Sequence, residues 1–379
     1  MGATLEVPPG LRGLEVADTQ VGDVRGLEGF YHYGPYSAVE LSIVRSFEDV
    51  WHLLLFGRLP DRDESTRFAA RTAGQRALPA SVLDLLRVVA ASGVDPMTGL
   101  RTGLSHLAAV EGFRPSLDVD RSTLEDNAVR LAAAAPTIVA TLHRLADGLA
   151  PLDPDPSLGH VADYLRMVTG SVPGHQEVRA IEQYLVLALD HGFNASTFTG
   201  RVVTSTGADL GAVVVAALGA LSGPLHGGAP SRALEMLEDI GSADRAPAWV
   251  AEAVAGGDRI MGFGHAIYRT ADPRSLALRE VAVGLGGPTV ELARDVEIEI
   301  ERTLAELKPD RPLQANIEYY AGVVMDRCGL PRDLFTPTFA ISRVVGWTAH
   351  ALEQAESRTI IRPSAHYVGA PAPQPVPAL

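Results

Sequence analysis

Met261-Gly262-Phe263-Gly264-His265-Ala266-Ile267-Tyr268-Arg269-Thr270-Ala271-Asp272-Pro273-Arg274 concentrates two glycines, a histidine, an aspartate and two arginines in fourteen residues. Gly262 and Gly264 allow a tight turn or a close approach of backbone to a ligand. His265 exchanges a proton near neutral pH, and Arg269 and Arg274 are suited to carboxylates or phosphates. The Asp272-Pro273 step closes the stretch as a turn. Taken alone, the segment also fits a helix-to-helix loop whose histidine satisfies a buried carbonyl.

A second segment, Ser222-Gly223-Pro224-Leu225-His226-Gly227-Gly228-Ala229-Pro230, sets another histidine between glycines, after an apolar helical run and before a helix-like stretch from Ser231 to Ile240. A third, Asn316-Ile317-Glu318-Tyr319-Tyr320, supplies a carboxylate. Together they resemble the citrate synthase family, whose pattern is a Gly-Pro-Leu-His-Gly loop, a Gly-(Phe/Tyr)-Gly-His loop ending in Asp-Pro-Arg, and an Asn-(Val/Ile)-Asp segment. The third element departs from the pattern, with Glu318 where the family usually has aspartate. The resemblance runs from about Gly10 to Gly369, more loosely at Tyr33-Gly34-Pro35-Tyr36 and Leu53 to Pro60. It implies an all-α fold of two helical domains, a large one from residues 1–221 and 331–379 and a small one from 222–330, with the site in the cleft between them. It also implies a homodimer or an assembly of dimers.

Working outward, 379 residues with 46% apolar composition suffice for a substantial core and two domains. A formal net charge of -14 argues against nucleic acid or an anionic membrane as partner, since either favours clustered Lys and Arg. Cys328 is the only cysteine, which rules out an intrachain disulfide and thiolate metal clusters and fits a reducing cytoplasm. The start, Met1-Gly-Ala-Thr-Leu-Glu-Val, lacks a basic and then apolar leader, and no apolar run reaches membrane-spanning length.

Gly10 to Ala38 mixes short apolar pieces with Gly, Asp and Tyr and reads as irregular chain or short strands, a surface-wrapped arm. From Phe47 onward, apolar residues three and four apart predict helices, clearest at Ser81–Ala91, Asn127–Leu149, Val178–His191 and Leu210–Leu221. Pro151 to Pro156 reads as a linker between helices. Val296 to Ile300 alternates like a strand, but Leu292, Val296, Ile300 and Leu304 recur every four residues. A helix is therefore expected, with Glu297 and Glu301 on a solvated face. The proline-rich end from Gly369 to Leu379 reads as a loosely held tail.

Asp190-His191-Gly192-Phe193-Asn194-Ala195-Ser196-Thr197 resembles a further motif of the family, in which the histidine and asparagine contact oxaloacetate. Asn194 equally suits a helix cap. Phe339-Ala340-Ile341-Ser342-Arg343 and Ile361-Arg362-Pro363 fall where the family places carboxylate-binding arginines; outside that resemblance both are ordinary surface charges. The roles that follow from the resemblance suit the residue types. Glu318 removes a proton from the acetyl-CoA methyl, His226 donates to the thioester oxygen as the enolate forms, and His265 polarises the oxaloacetate carbonyl. His191, Asn194, Arg274, Arg343 and Arg362, the last from a second subunit, hold the dicarboxylate. Gly262, Phe263 and Gly264 present backbone groups to coenzyme A, with Arg269 and Asn316 nearby. No permanently bound cofactor or metal is implied, since coenzyme A thioester is a co-substrate.

Three other functions fit parts of the pattern. A metal hydrolase built on His191, His226, His265 and Glu318 lacks His-x-x-x-His or similar ligand spacing. A non-catalytic relative that binds coenzyme A or a dicarboxylate would account for the glutamate at position 318. A 2-methylcitrate synthase would use propionyl-CoA on the same scaffold, a distinction of one methylene that is worth only about 1–3 kcal/mol in an apolar pocket.

Overall fold

The computed structural model describes residues 7–11, 13–223, 226, 229–265, 267–310 and 313–377. Pro224, Leu225, Gly227 and Gly228 of the His226 loop, and Ala266 of the His265 loop, lie outside the described residues.

The N-terminal segment forms an antiparallel sheet of β1 (Gly22–Arg25), β2 (Phe30–Tyr33) and β3 (Tyr36–Ser37), with Gly22 opposite Tyr33 and His32 opposite Ser37. The strands agree with the sequence reading, but a surface-wrapped arm does not describe them. Alternation along β2 puts Tyr31 and Tyr33 on one face, both about 1% exposed. Their hydroxyls donate to the carbonyls of Leu187 (3.2 Å) and of Val186 (2.9 Å) and Asp190 (3.1 Å). These carbonyls lie at and just past the end of a helix, where regular helical partners run out, and the two tyrosines supply donors to them inside the protein.

Helices follow: α1 (Ala38–Val44), α2 (Phe47–Phe56), α3 (Arg62–Gly74), α4 (Ala80–Ala91), α5 (Pro96–Val110), α6 (Arg121–Ala146), α7 (His160–Thr169), α8 (His175–Ala188), α9 (Ala195–Ser205) and α10 (Leu210–Leu221). After them come α11 (Ala229–Ile240), α12 (Ala246–Gly256), α13 (Pro273–Leu285), α14 (Pro288–Leu307), α15 (Ile317–Arg327) and α16 (Phe335–Ser357). The protein is all-α, as expected. Local chemistry sets the boundaries. Asp120 caps α6 by accepting the Thr123 N–H, which starts that helix six residues before the predicted Asn127. α8 ends at Ala188, so His191 lies beyond the helix rather than in its last turn. No helix spans Pro151 to Pro156.

The centre is built on α6 and α16, which pack on each other and are buried on nearly every side from Ala128 to Leu142 and from Phe335 to Leu352. Such all-round apolar helices belong in a core. α16 also packs on α9 and α10. The helices α11 to α15 pack among themselves, α11 and α13 on α15 and α12 on α14, and α13 and α15 lean on α8.

α14 is a helix, with Val296, Ile300 and Leu304 buried as the four-residue recurrence predicts. Glu297 is not on a solvated face: it is 7% exposed, and its carboxylate accepts the Tyr320 hydroxyl at 2.5 Å. The helix meets α12, α13 and α15, so it is covered over more of its circumference than the apolar stripe alone implies. Glu301 is half-buried and accepts the Ala315 N–H at 3.1 Å. The described part of the tail is exposed.

Candidate active site

Gly262 and Gly264 take positive φ of 77° and 84°. A Cβ at Gly262 would stand 3.0 Å from that of Tyr319, and one at Gly264 would meet Leu313 at 3.0 Å, so the loop requires glycine at both. The loop pairs with the chain entering α15: Gly264 N–H donates to Gln314 O and Asn316 N–H to Gly262 O, each at 2.8 Å. Asn316 then caps α15. Its Oδ1 accepts the Glu318 N–H (3.0 Å) and its Nδ2 donates to Gly264 O (2.9 Å). These bonds bring the His265 loop and the Glu318 turn together, and they occupy the Asn316 side chain and three of the six backbone N–H and C=O groups of Gly262, Phe263 and Gly264 that were expected to face coenzyme A. Arg269 is exposed, and its N–H donates to Gly26 O at 3.0 Å, against the turn between β1 and β2.

Downstream in the same stretch, Asp272 caps α13 and grips Arg274, accepting Nε at 3.0 Å and Nη2 at 2.8 Å. Both are almost fully buried. Oδ2 of Asp272 also accepts the Ile317 N–H at 3.2 Å. The aspartate that the sequence marked only as part of a turn is thus a counter-ion and a bridge between α13 and α15.

The imidazole of His265 has a fixed tautomer. Its Nδ1 accepts the N–H groups of Ile267 (3.0 Å) and Tyr268 (3.1 Å), and a backbone N–H can only donate. Burial, with Arg274 beside it, pushes the ring's pKa down to about 4, so at neutral pH the single ring proton sits on Nε2. That Nε2 stands 3.1 Å from Arg274 Nη2. The His265 Nε2–H is therefore a donor with no acceptor among the described residues, set beside a guanidinium already held by Asp272, which is an arrangement a carbonyl or oxyanion oxygen fits.

The same logic fixes His226. The Ser196 N–H points at its Nε2 (3.2 Å), so the lone pair is there and the proton on Nδ1, while burial and then Arg343 lower its pKa. Ser196 Oγ lies 2.9 Å from the same Nε2, accepts Trp347 Nε1–H (3.2 Å) and stands 2.8 Å from Asn194 Oδ1. Neither Ser196 nor Trp347 carries a sequence signal of a site role. Asn194 caps α9, its Oδ1 accepting the Thr197 N–H at 3.1 Å. The capping role anticipated for it is present.

His191 is buried against Tyr268, with Nε2 3.0 Å from the hydroxyl, and its ring centroid is 5.4 Å from that of His265. Burial, then Arg274 and Arg343, hold it neutral. Tyr31 packs edge-on against His191, and Arg274 lies over Tyr31 and Tyr268. The two tyrosines are site residues that the motifs did not reveal.

Glu318, in the first turn of α15, makes no side-chain hydrogen bond to another described residue. Burial pushes its pKa up to about 7, Arg274 opposing and Asp272 adding. Arg343 is 4% exposed, lies over the Phe339 ring at 4.7 Å, and has no carboxylate within ion-pair distance among the described residues; its Nε has no partner there either. Burial lowers its pKa, with Asp190 opposing from a distance. Arg362 is apart from this cluster, exposed in the extended chain after α16, with no hydrogen bond or ion pair among the described residues.

One cluster therefore joins His191, His265, Arg274, Arg343, His226 and Glu318: a buried guanidinium without a counter-ion among the described residues, neutral imidazoles, and a carboxylate whose pKa is raised to about 7.

Comparison with known proteins gives one answer. The family model for the citrate synthase C-terminal domain matches residues 10–364. A citrate synthase of Haloferax volcanii is 37% identical over 367 residues, which is 96% of each chain. The crystal structure of citrate synthase from Thermotoga maritima superposes with a TM-score of 0.87 at 32% identity, over 98% of both chains. The enzyme from Thermoplasma acidophilum, in a ternary complex with carboxymethyl coenzyme A and oxaloacetate, does so with a TM-score of 0.90 at 28% identity, over 99% of both.

Proposed function

The chain belongs to the citrate synthase family and is an acyltransferase of that type, and from this premise we propose how its own residues carry the condensation of acetyl-CoA with oxaloacetate. One observation carries the proposal: with both backbone N–H groups on its Nδ1, His265 has its proton on Nε2, which has no acceptor among the described residues and stands 3.1 Å from the Arg274 guanidinium. The oxaloacetate keto oxygen, which gains negative charge as its carbon is attacked, supplies one.

Around that point the remaining groups take roles by their chemistry. Arg343, buried and with no close carboxylate among the described residues, holds one oxaloacetate carboxylate, and Arg274 with His191 orients the molecule. Glu318 abstracts a proton from the thioester methyl, which a carboxylate titrating near 7 does more readily than one near 4. His226 donates from Nδ1 to the thioester oxygen as the enolate forms. The new carbon–carbon bond closes on the keto carbon, and water then cleaves the thioester to citrate and coenzyme A. Gly262, Phe263, Gly264 and Arg269 line the approach of coenzyme A, and Asn316 acts through its cap of α15.

We also propose that residues 222–330 move as a unit against 1–221 and 331–379. Glu318, His265 and Arg274 lie in the first, and Arg343, His191 and Ser196 in the second, so neither part holds the whole constellation. A dimer would let Arg362 of one subunit reach the site of the other. No helix among the described residues is long and apolar enough to cross a membrane, and with a single cysteine the cytoplasm is the compartment we assign.

Release of free thiol from acetyl-CoA, dependent on oxaloacetate, tests the function. Specificity constants for acetyl-CoA and propionyl-CoA, measured in parallel, separate citrate from 2-methylcitrate synthesis. Binding of both substrates without thiol release would overturn the catalytic assignment in favour of a binding protein.

A further inference from the structure

We infer that Glu297 and Tyr320 form a positioning pair that sets where the carboxylate of Glu318 lies, an inference that rests on the reading of Glu318 as the base. Glutamate at 318 is one methylene longer than the family's usual aspartate. With an unchanged backbone it would carry its carboxylate about 1 Å too far, a misplacement that costs on the order of a hundredfold in rate. The helix that presents it is tied to α14 by two side-chain hydrogen bonds.

Two successive tyrosines follow Glu318, and each is tied by its hydroxyl to α14: Tyr319 donates to Ala293 O at 2.8 Å and Tyr320 to Glu297 Oε2 at 2.5 Å. Ala293 and Glu297 are four residues apart, one turn along the same face. Two bonds at points one turn apart fix both the rotation of α15 about its axis and its position along α14. The Tyr319 ring packs edge-on against Phe263 of the His265 loop, with centroids 5.0 Å apart. The orientation of Glu318 is thereby referred to the loop that carries His265.

Glu297 is a poor choice if only stability matters. It is 7% exposed on the flank of the face that carries Val296 and Ile300, and its nearest cation, Arg279, is 3.8 Å away. A buried carboxylate so weakly paired gives less stability than an apolar side chain of the same size. What it supplies, and a leucine does not, is a directional acceptor for the Tyr320 hydroxyl.

The experiment compares Glu297→Leu, Glu297→Gln, Tyr320→Phe and Glu318→Gln by kcat, by the KM of each substrate and by thermal unfolding. Glu297→Leu and Tyr320→Phe are expected to lower kcat about ten- to hundredfold, with the oxaloacetate KM within about twofold. Glu297→Leu should unfold no earlier than the parent, and Glu297→Gln, which keeps an acceptor, should recover most of the rate. A second arm uses Glu318→Asp: in the Tyr320→Phe background it should cost less than it does in the parent, because the anchor tuned to the longer side chain is already gone. Parental kcat in both Glu297→Leu and Tyr320→Phe, with Glu318→Gln inactive, would overturn the positioning pair while leaving the base assignment intact. Loss of rate that merely tracks loss of thermal stability would also overturn it. Full activity in Glu318→Gln would remove the base assignment, and the inference with it.

Discussion

The Ile317 N–H donates to Oδ2 of Asp272 at 3.2 Å, so the helix that carries Glu318 hangs on the residue that neutralises Arg274. Base, cation and counter-ion form one mechanical unit, although 45 residues separate the two bonded positions.

Asp272→Asn is expected to act on both stability and chemistry. Removing one member of a buried ion pair typically costs about 3–5 kcal/mol, measurable by urea unfolding. Asp272 also raises the pKa of Glu318, so the acid limb of the pH–rate profile should move to lower pH in whatever activity remains.

Glu318 should govern that acid limb in the parent. With its pKa at about 7 the base is progressively disabled as pH falls through 7, whereas His265, at about 4, stays neutral down to far lower pH. Glu318→Gln should abolish condensation and spare oxaloacetate binding. The sign for stability follows from linkage. The folded state binds the Glu318 proton more tightly than the unfolded state, so this group's contribution falls as pH rises from about 4.5 through 7. Thermal scans should therefore show Glu318→Gln gaining on the parent between pH 5 and pH 8.

Arg343→Met should separate binding from folding. A guanidinium buried, as Arg343 is, without a close carboxylate among the described residues costs stability, so the variant should unfold at the parental temperature or above it. Its oxaloacetate affinity by calorimetry should fall at least about thirtyfold, the equivalent of roughly 2 kcal/mol. Earlier unfolding with intact affinity would mean that Arg343 is structural.

Arg362→Ala should weaken oxaloacetate binding with little effect on folding, because the side chain is exposed and unpaired in its own chain among the described residues. If it serves a neighbouring subunit, mixing Arg362→Ala with Glu318→Gln and allowing exchange should regenerate activity, since one of the two sites in a mixed dimer then has both groups. Mixtures with no more activity than the two variants alone, in demonstrably exchanged dimers, would confine Arg362 to its own chain or remove it from the site.

The sequence alone determined the helices and the chemistry-bearing loops. Recurrence every three or four residues reports a buried face wherever one exists, and α10 from Leu210 to Leu221 was legible to the residue. The loops at His226, His265 and Glu318 were legible because glycine, histidine and carboxylate are local signatures, and their joint order is specific to one family. Only the tertiary structure decided the rest. Periodicity marks one face of α14 but not what covers its flank, so the burial of Glu297 became visible only with Tyr320 against it. The tautomers of His226 and His265 depend on which N–H groups point at them, and for His226 that donor comes from Ser196, thirty residues away in sequence. Whether Arg343 is paired or bare depends on every neighbour it meets after folding, because the energy of a buried charge belongs to its surroundings and not to its residue type.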